Sequence, residues 1–237
     1  MVIKMNEYLY FAVIFLSNII QAITGFAGTM LAMPISIKLI GMNPARIALN
    51  AVATAASIYI VAKDYKQVNL KMLKRALLWM TVGTLISMIV YRTINTTILL
   101  YLYGVVIIGI ALHKLFIKNQ VSIKPYFMNI ILILAGILQG LFASGGPFLV
   151  IYLVSNIKDK HEFRATVSAI WIVLGAVFAI QNMEYTTISD VRISSLSMIP
   201  LVLGVILGDQ IHRKIPQEKF MKMTYVLLLI SGFSVYI

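Results

Sequence analysis

Several stretches of this chain offer water no face to wet. FAVIFLSNII, TVGTLISMIV, YLYGVVIIGIALH and YVLLLISGFSVYI are apolar on every side, and such runs continue for 17 residues or more without the polar alternation of a β-barrel strand. Helices in lipid are what this pattern allows. The composition agrees, with 60% hydrophobic residues, a mean hydropathy of +0.93 and only 12% charged residues, about half the share of soluble domains. Ten apolar segments can be traced, at 8–24, 28–41, 44–62, 73–91, 97–116, 126–142, 146–156, 163–181, 193–211 and 220–237. The expected fold is an all-α polytopic membrane protein, one transmembrane domain over residues 1–237. The run from Tyr8 has no cleavage context after it, so the first segment is expected to be retained. The absence of cysteine excludes disulfides and thiolate metal sites.

Two segments are too short to cross. The one at 28–41 contains Pro34 and Lys38, which are expected to break it, and the one at 146–156 opens on Gly146-Pro147. At about 1.5 Å per residue neither reaches through a hydrocarbon core of about 30 Å. They read as Gly-rich half-helices or re-entrant segments near the midplane, fed by uncharged junctions at 24–29 and 142–147.

The chain also repeats itself. Residues 8–51 align without a gap on residues 126–169, with eight identities in 44 positions: Tyr8/Tyr126, Leu16/Leu134, Ile19/Ile137, Gln21/Gln139, Gly28/Gly146, Leu31/Leu149, Arg46/Arg164 and Ala51/Ala169. Roughly three or four would arise by chance in so apolar a chain. Further on, Gly83 and Ser87 align with Gly204 and Gly208, small residues that let helices pack closely in lipid, and Arg92 aligns with Arg213, an interfacial anchor. The repeats span 8–116 and 126–237 with five segments each, and an odd number per repeat makes them inverted. Inverted repeats place a substrate site at their interface.

Charge placement gives an orientation. Fifteen of the twenty basic residues fall in the loops after segments three, five, seven and nine, which places those loops in the cytoplasm and both termini outside. The net charge of +12 is then a topology signal, and scattered basic loops without a binding motif argue against nucleic acid. Expected partners are the bilayer and a small anionic substrate; small-residue faces also permit a homo-oligomer.

Half-helices starting at Gly28 and Gly146 would aim free backbone amides and a partial positive charge at the membrane centre, which suits an anion. Gly25 and Gly145 allow the turn, Pro147 sacrifices an amide without a helical partner, and Gln21 and Gln139 add donors, or else bond to freed carbonyls. Arg46 and Arg164 open the following segments and would attract or gate an anion at opposite mouths, or anchor at the interface; Asn50 and Ser168 lie one turn further in. The eight carboxylates and His113, His161 and His212 fall in loops or at segment ends, so no buried acid offers a proton relay and the histidines are expected to be solvated. There is no P-loop, no HExxH pair and no Ser/His/Asp set, so neither an enzyme nor an ATP-driven pump is expected, and no cofactor or metal.

The motif GFAGTMLAMPISIKLIGMNPARIALN, its counterpart AGILQGLFASGGPFLVIYLVSN followed by FRAT, and the late LGVILGDQIHRKIP resemble the TauE/SafE family of sulfite and organosulfur-anion exporters over essentially the whole chain. The first Gly-rich turn departs from the family pattern in reading GFAGT rather than three glycines. The resemblance implies a secondary transporter that moves a small anion. Efflux from a cell negative inside gains about 2.3 kcal/mol per charge per 100 mV, so export needs no coupled ion. The alternatives are a proton- or sodium-coupled importer of a sulfur-containing anion, or a membrane scaffold without transport.

Overall fold

Helices follow the apolar runs almost residue for residue. The computed structural model describes residues 2–93, 125–142 and 145–234, together with Val105, Ile108, Gly109 and Leu112; most of the segment expected at 97–116 lies outside the described residues, as do Ala143 and Ser144 of the second junction. The described helices are α1 (Val2–Thr24), α2 (Ala27–Ile40), α3 (Met42–Asp64), α4 (Leu70–Thr93), α5 (Pro125–Phe142), α6 (Gly146–Val154), α7 (Lys160–Gln181), α8 (Ile188–Leu196), α9 (Met198–Lys214) and α10 (Gln217–Ser234). Among the described residues, four spans are long and apolar enough to cross a membrane: Asn6–Thr24, Met42–Gln67, Lys160–Gln181 and Ile188–Lys214. Large apolar side chains such as Leu78, Ile89, Ile199 and Leu203 are exposed along α4 and α9, a surface suited to lipid rather than water.

Two expectations are corrected. Pro34 does not break α2, which runs through it from Ala27 to Ile40. The segment expected from residue 193 begins at Ile188 on a Thr187/Asp190 capping box and is divided at Ser197 into α8 and α9. Elsewhere the ends have local causes. Asp159 caps α7 by accepting from the His161 and Glu162 amides at 2.9 and 2.8 Å. Lys160 Nζ donates to the His212 and Ile215 carbonyls at 2.8 and 2.6 Å, closing the C-terminus of α9.

Small residues decide which helices touch. A methyl group at Gly83 or Gly136 would overlap the carbonyl oxygen of Ile133 or Met80, so α4 and α5 meet backbone to backbone. The same holds between α9 and α1, where a Cβ at Gly204 would lie 2.6 Å from the Phe15 oxygen. The helices α3 and α7 pair antiparallel: the Arg46 guanidinium lies over the Phe178 ring, Asn50 bonds to Gly175, and Asp64 meets Arg164.

Candidate functional site

Between α1 and α2 the chain reverses at Gly25, whose φ of +85° only glycine adopts without strain. A Cβ there would also lie 2.5 Å from Val167 on α7. The expectation of free amides at this junction is overturned. The Thr24 hydroxyl accepts from the Phe26 and Ala27 amides at 3.3 and 3.2 Å, and Gln21 Oε1 accepts from Gly28 at 3.0 Å while its Nε2 donates to the Gly25 carbonyl at 3.1 Å. The start of α2 is thus capped by side chains of α1, because a buried amide without a partner costs about 1–3 kcal/mol.

The second junction repeats the device one residue earlier. Gln139 Oε1 accepts from the Gly145 amide at 3.1 Å, as Gln21 does from Gly28. A Cβ on Gly28 would overlap the Ser17 carbonyl, and one on Gly145 the Ala135 carbonyl, residues separated by the repeat offset. The spatial counterpart of Gly28 is therefore Gly145 rather than the aligned Gly146, the second turn being one residue shorter. Gly146 opens α6 with Pro147 beside it in the first turn, and a Cβ there would meet the movable Met30 sulfur at 2.9 Å.

These junctions border one narrow cleft, whose roughly 350 Å³ of space between atoms includes open solvent at its mouth. Of the expected site residues it gathers Gln21, Asn50, Gln139 and Gly146; Phe26, Thr29, Met30, Ala53, Thr54 and Trp171 complete the lining. Trp171 had no expected role, and neither threonine stood out in the sequence. Gly25, Gly28, Gly145 and Pro147 shape the turns without lining the cleft. Asn50 Nδ2 donates to the Gly175 carbonyl at 3.0 Å and Thr54 to the Asn50 carbonyl at 2.8 Å. Among the described residues, no internal hydrogen bond engages Gln139 Nε2, the Thr29 hydroxyl or the Trp171 indole N–H. Ser168 is fully buried on α7, away from the cleft lining, and its hydroxyl has no partner among the described residues.

The two arginines turn inward, as the gating reading requires, and each holds the end of a helix in the other half of the chain. Arg46 donates to the Gly140 carbonyl at 3.1 Å and Arg164 to the Ala22 carbonyl at 2.9 Å. Gly140 and Ala22 are again one repeat offset apart. Asn50 follows Arg46 by about 6 Å of helix and Trp171 follows Arg164 by about 10 Å, so the cleft lies between the two guanidiniums.

Around Arg164 the expectation of exposed charges fails. Arg164 is fully buried and pairs with Asp64 and, at 3.0 Å, with Asp209, which is 3% exposed; Lys63 and Arg213 meet Asp209 at 3.0 and 3.3 Å. Arg213 is therefore an ion-pair partner in addition to any anchoring role. His212 is fully buried too, with Nδ1 2.8 Å from the Ile23 carbonyl and Nε2 3.2 Å from His161 Nδ1. Local sequence suggested solvated helix ends here; the packing of α1 and α7 over the end of α9 buries them.

The fold and its internal polar cleft define a multi-pass helical membrane protein. The chain belongs to the TauE/SafE family, a membrane transporter family: the family model described as "Sulfite exporter TauE/SafE" matches residues 10–235. It is similar to the "Probable inner membrane transporter protein TsaS" of Comamonas testosteroni, 24% identical over 176 residues that cover 72% of this chain and 74% of that protein. No solved structure matches it.

Proposed function

We propose that this protein is a secondary transporter that exports sulfite or an organosulfonate-type oxyanion by alternating access, with the cleft at the two junctions as its substrate site. The observation that carries this reading is the convergence of Gln21, Gln139, Asn50 and Gly146 on one cleft. Its donors without a partner among the described residues, the Gln139 amide, the Thr29 hydroxyl and the Trp171 indole, suit the oxygens of a sulfonate. Phe26, Met30 and the Trp171 ring suit a short organic tail. Arg46 and Arg164 flank the cleft and attract the anion from either side.

The exchanged arginine bonds, the antiparallel α3/α7 pair and the matched glutamine caps all support two inverted repeats. At about 21 and 14 Å, α2 and α6 are the half-helices of that arrangement. Asp64, Arg164 and Asp209 stand at the helix ends that border the loops after segments three, seven and nine, and their meeting supports placing those loops on one side, the cytoplasm by the basic-residue count. A second reading, coupled import, gains support from the burial of Asp209 and His212.

The test is flux of sulfite and sulfoacetate into proteoliposomes with the potential set by a potassium gradient. Flux that follows the potential supports the electrogenic exporter, and a requirement for a sodium or pH gradient favours coupled import. Gly146→Leu, which fills the cleft from its wall, is expected to abolish flux while the protein still inserts; normal flux would remove the cleft as the substrate site.

A further inference from the structure

We propose that His161 and His212 form a proton-binding site of this transporter, a two-imidazole relay that holds one exchangeable proton at the end of α1; its role in coupling rests on the coupled-transport reading above. The tautomers follow from the partners. The Ile23 carbonyl only accepts, so His212 Nδ1 carries a hydrogen and, in the neutral ring, Nε2 is a lone pair. The 3.2 Å contact is then donated by His161 Nδ1–H, which leaves His161 Nε2 as the open acceptor of the partly exposed outer ring.

A proton arriving at His161 Nε2 makes that ring an imidazolium. Its Nδ1 proton crosses to His212 Nε2, leaving His161 neutral with hydrogen on Nε2 and its Nδ1 now accepting. Both hydrogen bonds survive, and the positive charge has moved onto a ring fully buried at the Ile23 carbonyl. A second proton would set N–H against N–H and break the contact, so the pair takes one.

The surroundings connect this site to the cleft. Lys160, Arg164 and Asp159 face the pair from α7 and its cap, and Asp64 faces it from α3; burial and the two cations weigh against a positive ring, so the pair loads its proton only from acidic solution. From its own helix come Asp209 and Arg213; α1 presents the Ile23 carbonyl and α10 the edge of the Phe220 ring, 5.6 Å away between centroids. Arg164 holds the Ala22 carbonyl beside Ile23, one residue from Gln21, which caps α2 and lines the cleft. Charge on His212 therefore acts on the same helix end that frames the substrate.

The chain has three histidines, so imidazole NMR of the full protein in nanodiscs resolves them. His161 and His212 are expected to titrate in one joint step that takes up one proton, and His161→Asn, a change at a partly exposed ring, is expected to remove the His212 response. In proteoliposomes with the potential clamped at zero, one unit of pH gradient should sustain about a tenfold anion accumulation in the wild type and none in His161→Asn. Independent titration of the two rings overturns the site whatever the flux. Joint titration with flux indifferent to pH overturns its coupling role. Joint titration with no flux under any gradient sinks the transport reading and leaves the proton site standing.

Discussion

Arg46 and Arg164 do the same thing at two places and are held there by different means. Each donates to the carbonyl of a repeat-related residue at a helix end, Gly140 and Ala22. Arg46 also rests on the Phe178 ring at 5.3 Å, a contact that tolerates sliding, whereas Arg164 is locked between Asp64 and Asp209, with Lys63 and Arg213 bracing the carboxylates. A buried guanidinium tied to two carboxylates cannot move without exchanging ion pairs. The comparison teaches that related halves can share a hydrogen-bond plan while one end acquires titratable and charged groups that make its opening discrete.

The largest expected effect breaks that lock. Asp209→Ala leaves Arg164 buried with one partner fewer and should cost about 3–5 kcal/mol. Arg46→Met removes at least the charge-assisted bond to Gly140 and the cation–π contact and should cost about 1–3 kcal/mol. Thermal unfolding in detergent ranks the two, and equal losses would erase the distinction between the ends. Next come the junction glycines. Gly28→Ala and Gly145→Ala force a methyl into a carbonyl and should each cost about 1–3 kcal/mol, while Gly146→Ala displaces only the Met30 side chain and should cost less than 1 kcal/mol.

What the sequence disclosed and what it withheld divide along physical lines. The C-terminus of α3 and the N-termini of α5 and α7 follow from where apolar runs meet charge, because lipid enforces that boundary locally. The brevity of α2 and α6 and the pairing of Gln21 with Gln139 were legible for the same reason, as was the close packing at Gly83 and Gly204. The capped amides were not: free N–H groups were expected because a half-helix start leaves its first amides without helical partners, and only the reversal at Gly25 brings the Gln21 side chain back onto α2. Asp209 and His212 sit among Arg213 and Lys214 and read as a solvated helix end. Their burial is imposed by α1 and α7, which no local pattern announces.

The finest test of the comparison concerns the glutamines. Among the described residues, Gln21 makes two hydrogen bonds to its junction, to Gly25 and Gly28, and Gln139 makes one, to Gly145, with no described partner for its Nε2 amide at the cleft. At about 1 kcal/mol net per bond, Gln21→Leu should lose about 2 kcal/mol of stability and Gln139→Leu about 1 kcal/mol. Transport should rank them the other way: loss of the free Gln139 amide weakens substrate, raising the half-saturating sulfite concentration, while Gln21→Leu mainly lowers the amount of folded carrier. The opposite ranking, with Gln21→Leu raising that concentration in folded protein, would move the substrate contact to the first junction and make Gln139 the structural cap.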